Sequence, residues 1–172
     1  AGLSMVLGVP FGAWLASLDH QAKRFIGSLT VVPFLLPPLL IGIAALPLTS
    51  GLALDSRTGI LLVVLAHAFM NVGFVGRVMA GSSIPKEQLE AARLDGATDR
   101  QVRTEVQLPQ QLPALASSGL LVALYSATSF GLVLLLSGGA VKTLETEIAE
   151  AALYRLDLNQ AGTLALLQTL LT

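Results

Sequence analysis

The chain alternates long apolar runs with short polar connections. Five runs approach the length of about 20 residues that a helix needs to cross the hydrocarbon core of a bilayer. Because their apolar positions are continuous and do not alternate with polar ones, they predict helices and not strands. The fold class expected is therefore an all-α bundle of transmembrane helices. The predicted spans are residues 1–18, 25–46, 59–76, 112–137 and 158–172.

Composition agrees with a membrane location. Apolar residues make up 53% of the chain, charged residues only 12%, and the mean hydropathy is +0.74, whereas about a quarter of the residues of a soluble domain are charged. A net charge of −1 gives no reason to expect a nucleic-acid partner. With no cysteine and only two histidines, the sequence predicts no metal site and no cofactor.

Both ends of the chain lie inside apolar runs, so we interpret residues 1–172 as one transmembrane domain cut from a longer polypeptide. Residues 1–18 lack the basic leader and the small-residue cleavage site of a signal peptide, which favours a span.

Basic residues in the connections predict the orientation, because cytoplasmic loops of membrane proteins carry an excess of Lys and Arg. One side carries only Arg57, Lys142 and Arg155. The side that contains residues 82–109, here called the charged segment, is therefore predicted to be cytoplasmic. It carries seven basic residues: Lys23, Arg24, Arg77, Lys86, Arg93, Arg100 and Arg103.

The second predicted span contains three prolines, Pro33, Pro37 and Pro38, together with Gly42. Such a helix is expected to kink or break. Since neighbouring protein or water must then satisfy the freed carbonyls, the span is expected to face protein or a solute pathway. A kink used only for packing and a role in lining or gating a pathway both remain open.

Polar side chains within the spans are few. His67 and Asn71 are four residues apart and share a face of the third span, while Ser126 and Ser129 place hydroxyls in the fourth. Such groups usually face the interior of the bundle. Hydrogen bonds between helices would explain them, and contact with a solute is the alternative. No span contains an acidic residue, which argues against a proton- or sodium-coupled transporter.

The external connection, residues 142–157, predicts a short amphipathic helix with Leu144, Ile148 and Ala152 at four-residue spacing. It could lie across the mouth of a pathway or only join two spans.

The charged segment predicts two short helices that meet at a glycine. The first is expected over about 84–95 and to end at Gly96, which supplies the left-handed residue. Thr98 and Gln101 have the spacing of a capping box, so a second helix begins there. We expect it to stop before Pro109. The result is a compact bent element, too polar to enter lipid.

The residues of this bent element match a spaced pattern. It consists of Glu-Ala-Ala, three residues, Gly, nine residues, an aliphatic residue, one residue and Leu-Pro. The charged segment resembles, at each of these positions, the EAA signature of permease subunits of ATP-binding-cassette importers. The matching residues are Glu90, Ala91, Ala92, Gly96, Val106, Leu108 and Pro109.

The resemblance implies a type I importer permease whose bent element is a coupling helix that docks on a cytoplasmic ATPase. Glu90 would face a basic residue of the ATPase, the two alanines would fit its groove, and Gly96 would form the bend. The implied partners are an ATPase dimer, a second permease half, an external or periplasmic solute-binding protein and membrane lipid, in a bacterial inner membrane. The implied coupling residues are Glu90, Ala91, Ala92, Asp95, Gly96, Ala97, Leu108 and Pro109.

The resemblance extends beyond the signature. Residues 32–38, 66–71, 128–131 and 143–148 look like the subfamily that serves ferric iron and thiamine. This implies ferric iron as the solute, with thiamine as the alternative. Because the spans offer no carboxylate to a hard cation, we expect the external binding protein to select the solute. Gly73 departs from the family pattern and leaves open whether the third span kinks.

Two other classes of protein fit the sequence less well. An intramembrane enzyme using His67 with a serine lacks a recognisable nucleophile motif. An ungated pore or a purely structural membrane protein has no need of the bent element. Because no phosphate-binding loop is present, ATP hydrolysis is expected in a partner chain, and the chain is not expected to be an enzyme.

The candidate pathway and gate residues are Pro33, Pro37, Pro38, His67, Asn71, Ser126 and Ser129.

Overall fold

The computed structural model describes residues 1–49, 51–52 and 55–171. Within these residues it consists of helices and their connections with no strands, as the sequence predicts. Two π-helical turns, π1 and π2, interrupt the α-helices. In chain order the elements are α1 (Gly2–Ser17), α2 (His20–Leu35), α3 (Pro38–Thr49), α4 (Ser56–Gly81), α5 (Lys86–Leu94), α6 (Asp99–Gln101), π1 (Val102–Gln107), α7 (Leu108–Ala127), α8 (Phe130–Ser137), α9 (Leu144–Ala149), π2 (Glu150–Tyr154) and α10 (Leu158–Leu171).

All five predicted spans coincide with helices, but only α4 is by itself long and apolar enough to cross a membrane among the described residues. The count rises to three if α2 with α3, and the helix over Asp99–Ala127 with α8, are each taken as one broken span. Helices α1 and α10 cover the other two predictions with 16 and 14 residues. Thr172, the last residue of the fifth predicted span, lies outside the described residues.

The chain divides into two compact units. Unit 1 contains Ala1–Leu35 and Ala68–Val122, and unit 2 contains Leu36–His67 and Ala123–Thr172.

In unit 1, small residues let helices approach closely. A Cβ added at Gly12 of α1 would lie 2.6 Å from Cβ of Met79 and 2.7 Å from the carbonyl oxygen of Gly76, both on α4. A Cβ at Gly73 would collide with the backbone carbonyl of Thr30 on α2. Close packing through small residues is the usual means by which helices associate in membranes. Helix α4 runs through Gly73 without a break, so this glycine serves packing and not a kink.

In unit 2, α3 packs against α8, again through glycines. A Cβ at Gly131 would lie 2.8 Å from Cδ1 of Leu39, and a Cβ at Gly42 would lie 3.0 Å from Cδ1 of Leu135. Leu132 is fully buried in this contact region. The two half-helices therefore form a tight pair.

The second predicted span is interrupted at Leu36 and Pro37, which confirms the expected break. The fourth predicted span, expected as one segment, is also interrupted, at Thr128 and Ser129.

The prediction that the helix beginning at Thr98 stops before Pro109 is wrong. The helical backbone continues through π1 into α7, and Pro109 is the second residue of α7. In π1 the N–H of Leu108 donates to the carbonyl of Arg103, five residues earlier. This wider turn relaxes the four-residue ladder just before the proline, whose ring and missing N–H would disrupt a regular turn.

Candidate functional site

The bend of the charged segment is formed by hydrogen bonds between close neighbours in the chain. Gly96 has a φ of +91°, in the left-handed region. Its N–H donates to the carbonyl of Arg93, and the N–H of Ala97 donates to the carbonyl of Ala92, both at 3.0 Å. This pair of bonds is the Schellman motif that ends a helix. The expected role of Gly96 in the bend is confirmed, and Asp95 is the C-cap of α5.

Hydrogen bonds also fix the residues that follow the bend. The N–H of Gln101 donates to Oγ1 of Thr98 at 3.3 Å, and the N–H of Thr98 donates to Oε1 of Gln101 at 2.9 Å. The predicted capping box is therefore present. An ion pair of 3.1 Å between Nε of Arg93 and Oδ1 of Asp99 crosses the bend. Hydrogen bonds and an ion pair thus brace both sides of Gly96.

Helix α5 presents its side chains to solvent. None of its residues is buried, and both Glu90 and Ala91 are exposed while Ala92 is half-buried. Leu94, which the sequence analysis did not single out, is 88% exposed. It lies three residues after Ala91 and four after Glu90, so the three share a face of α5. This spacing is visible in the sequence and could have identified Leu94 as part of the same face.

The other predicted coupling residues lie along the same segment. Ala97 is half-buried beside the bend, and Leu108 and Pro109 are exposed at the start of α7. The structure thus separates two exposed patches within the charged segment, one on α5 and one where π1 meets α7.

The break between α2 and α3 lies at Pro37, and Pro38 is the first residue of α3, where its missing N–H is no loss. The hydroxyl of Tyr125 donates to the carbonyl of Leu36 at 2.8 Å. Pro33 belongs to α2 in unit 1, where it lines a cavity of about 370 Å³ with Gly73 and other residues. Pro33 therefore belongs to unit 1, whereas Pro37 and Pro38 belong to unit 2.

His67 and Ser129 form a buried hydrogen-bonded pair in unit 2. Nδ1 of His67 lies 2.8 Å from the carbonyl oxygen of Val63, which only accepts, so Nδ1 carries the proton. Nε2 lies 2.8 Å from the hydroxyl of Ser129 and accepts its hydrogen when the ring is neutral. That hydroxyl is also 2.8 Å from the carbonyl of Ser126, so its single hydrogen serves one acceptor at a time.

The hydrogen bond between His67 and Ser129 confirms that polar groups of the third and fourth predicted spans meet. Ser126 is half-buried in the same unit. Asn71 lies one turn after His67 on α4, belongs to unit 1 and is fully buried.

The connection over residues 142–157 is helical, as predicted, over α9 and π2. Nζ of Lys142 lies 3.0 Å from Glu147 and 2.9 Å from Glu150, and Arg155 lies 3.2 Å from Glu147. The hydrogen bond from Lys142 lowers the pKa of Glu150. By the same contacts Glu150 and Glu147 raise the pKa of Lys142. This network joins the two ends of the connection.

Broken apolar helices of this kind are a feature of helical membrane transporters. The model of the family described as "Binding-protein-dependent transport system inner membrane component" matches residues 8–171. The chain belongs to this family.

Several curated relatives are transport permeases. The chain is 29% identical over 137 residues to the molybdate/tungstate transport system permease protein WtpB of Pyrococcus abyssi, covering 78% of this chain and 54% of the relative. It is 34% identical over 112 residues to the putative 2-aminoethylphosphonate transport system permease protein PhnU of Salmonella typhi, covering 64% and 39%. It is 32% identical over 162 residues to the molybdenum transport system permease protein ModB of Mycobacterium bovis, covering 85% and 61%. The chain spans about half the length of these relatives.

Proposed function

We propose that this chain forms part of the transmembrane pathway of an ATP-binding-cassette importer and that its charged segment couples the pathway to an ATPase in another chain. The observation that carries the proposal is the exposed, internally braced bend at Gly96 in a member of this permease family.

The contact with the ATPase is proposed on the face of α5 that carries Glu90, Ala91 and Leu94. Leu94 offers apolar area, Ala91 lets a partner's backbone approach, and Glu90 offers a charge for a basic residue. Leu108 and Pro109 would form a second contact. The remaining partners proposed are a second permease half and an external solute-binding protein, with the chain in a cytoplasmic membrane and the charged segment in the cytoplasm.

The solute proposed is a small tetrahedral oxyanion, molybdate or tungstate first and a phosphonate second. The names of the relatives mention molybdate, tungstate, molybdenum and 2-aminoethylphosphonate. These names favour an oxyanion over ferric iron and thiamine, the solutes expected from the sequence. The predicted spans contain no carboxylate to repel an anion or to bind a hard cation. A hydroxyl donor such as Ser126, in the fourth predicted span, suits an oxyanion better.

The gate is proposed at the helix breaks of unit 2, where Pro37 and Ser129 interrupt the helices. Broken helices lining a cavity are a common device of transporters. His67 and Asn71 on α4 would contribute polar groups to the pathway, while selection rests with the external binding protein.

Coupling is tested by reversing one charge in the complete transporter. Glu90→Lys should place a cation against the proposed basic residue of the ATPase and weaken its association by tenfold or more. The matched control is Glu105→Lys, another exposed acidic residue of the charged segment but outside α5. Purification through a tag on the permease measures the ATPase retained. Equal retention by both variants would refute docking through α5.

The solute is tested by uptake into vesicles that hold the complete transporter and its binding protein. Labelled molybdate, tungstate, 2-aminoethylphosphonate, ferric iron and thiamine are compared with and without ATP. ATP-dependent uptake of an oxyanion is expected. Uptake of iron or thiamine, with none of the oxyanions, would overturn the oxyanion assignment and leave the coupling proposal standing.

A further inference from the structure

Four basic side chains meet at one end of unit 1. His20, Lys23 and Arg24 from the first turns of α2, and Arg77 from the last turns of α4, line a cavity of about 270 Å³ whose other lining residues include Leu15. We propose that this cavity binds the phosphate of an anionic phospholipid of the cytoplasmic leaflet. The inference goes beyond transport, and it rests on the orientation of the proposed function.

The cavity is held in shape by contacts between its two helices. Nζ of Lys23 donates to the carbonyl of Ala80 near the end of α4, at 2.9 Å. A Cβ added at Gly27 of α2 would lie 3.2 Å from Nη1 of Arg77 and 3.4 Å from Leu15. Gly27 therefore lets the guanidinium lie directly against α2. Leu15 itself is buried and gives the cavity an apolar wall.

The charge of the cavity is not neutralised by the described part of the chain. The ion pairs found among the described residues involve neither Lys23, Arg24 nor Arg77. The nearest acidic residue in sequence is Asp19, whose Oδ1 accepts from the N–H groups of Gln21 and Ala22 at 3.0 Å and so caps α2. Arginine side chains bind phosphate oxygens with paired hydrogen bonds. Basic pockets between helices on the cytoplasmic side suit lipid headgroups.

An apolar strip beside the cavity favours a lipid over a free anion. Phe25 follows Arg24 directly and is 71% exposed, and Leu29 and Val32 continue the strip along α2. An acyl chain could lie on this strip while its phosphate occupies the cavity. Trp14, exposed by about half on α1, lies next to Leu15, and tryptophan is enriched where membrane meets water. These features place the cavity at headgroup depth.

The test measures which lipids stay bound to the complete transporter. The transporter is equilibrated with an equimolar mixture of phosphatidylglycerol and phosphatidylcholine, washed with detergent, and its retained lipids are quantified. The wild type should retain phosphatidylglycerol several-fold in excess. Arg24→Gln with Arg77→Gln should bring the retained ratio of the two lipids close to one, because a basic residue near the membrane surface contributes up to about 1 kcal/mol, a factor of about five for each arginine. Arg57→Gln, an exposed arginine at the opposite end of α4, should keep the preference.

Two further measurements distinguish a lipid from a free anion and locate the bound acyl chain. Inorganic phosphate at millimolar concentration should not displace the lipid, and full displacement would show a site for free anions instead. In the wild type, phosphatidylglycerol with a photoreactive acyl chain should crosslink within residues 25–32. Crosslinks only elsewhere, or an undiminished preference in the double variant, would overturn the proposal. None of these readouts depends on transport or on the ATPase.

Discussion

The hydroxyl of Tyr125 donates a 2.8 Å hydrogen bond to the carbonyl oxygen of Leu36, 89 residues earlier in the chain. In a continuous helix that carbonyl would accept from the N–H of Leu40, but this N–H donates instead to Pro37, at 2.9 Å. The tyrosine therefore satisfies a backbone group that the break between α2 and α3 sets free. Leaving such a group unsatisfied in a membrane is costly.

Replacement of this tyrosine tests the bond. Tyr125→Phe removes the donor and should lower stability by about 0.5–1.5 kcal/mol, seen as a lower thermal midpoint of the purified full-length permease. Tyr154→Phe is the matched control, because the chain has two tyrosines and Tyr154 is 82% exposed. Equal midpoints for the two variants would contradict a structural role for the bond.

The bend at Gly96 should not accept a β-branched residue. Gly96→Val forces a φ of +91° on a valine, which costs about 1 kcal/mol or more. The variant should insert in the membrane yet lose ATP-dependent uptake and retention of the ATPase. Gly162→Ala, in the interior of α10 with open space at its Cβ, should behave as wild type. Normal uptake by Gly96→Val would remove the bend from the coupling mechanism.

Close packing at Gly73 predicts a strong effect from a single methyl group. Gly73→Ala would place Cβ against the backbone carbonyl of Thr30, which cannot rotate away as a side chain can. Overpacking of this kind costs about 1–3 kcal/mol. At Gly119 the nearest atom is the flexible end of Met5, at 3.4 Å, so Gly119→Ala should be tolerated. The thermal midpoints of the two variants are compared with that of the wild type. A Gly73→Ala variant with the midpoint of the wild type would refute the contact.

Glu145, in the connection over residues 142–157, should make the stability of the folded chain depend on pH. Burial raises the pKa of Glu145 above its ordinary 4.5, although a hydrogen bond from Gln168 opposes the shift. A raised pKa means that the folded state holds the proton more tightly, so stability falls as pH rises from 4.5 through the folded pKa and is then constant. Glu145→Gln should lose this part of the fall.

The comparison is made by thermal midpoints between pH 4 and pH 8, with Glu87→Gln on exposed α5 as the control. If the midpoint of Glu145→Gln falls with pH as steeply as that of the wild type, Glu145 is not the group responsible.

Local signals predicted much of this molecule. The apolar runs indicated helices, the prolines at 37 and 38 indicated a break, and Gly96 with Thr98 indicated the bend and the new helix start. Each of these depends on residues within a turn or two of one another. The capping box and the Schellman motif in particular join groups no more than five residues apart.

Contacts between distant residues could not be predicted in this way. Nothing near Leu36 indicates that Tyr125 satisfies its carbonyl. The break at Ser129 lacks a proline, and α8 after it packs through Gly131 against Leu39. The helix through Pro109 continues because the turn before it widens, a backbone adjustment for which the sequence carries no simple pattern.

The hydrogen bonds on both sides of Gly96 have a consequence for docking. Because the donors and acceptors of the bend all belong to residues 91–101, the shape of the charged segment does not depend on a partner. Its conformational entropy is already lost when the chain folds. A protein that docks there does not have to order a loop, so more of the contact energy is retained as affinity.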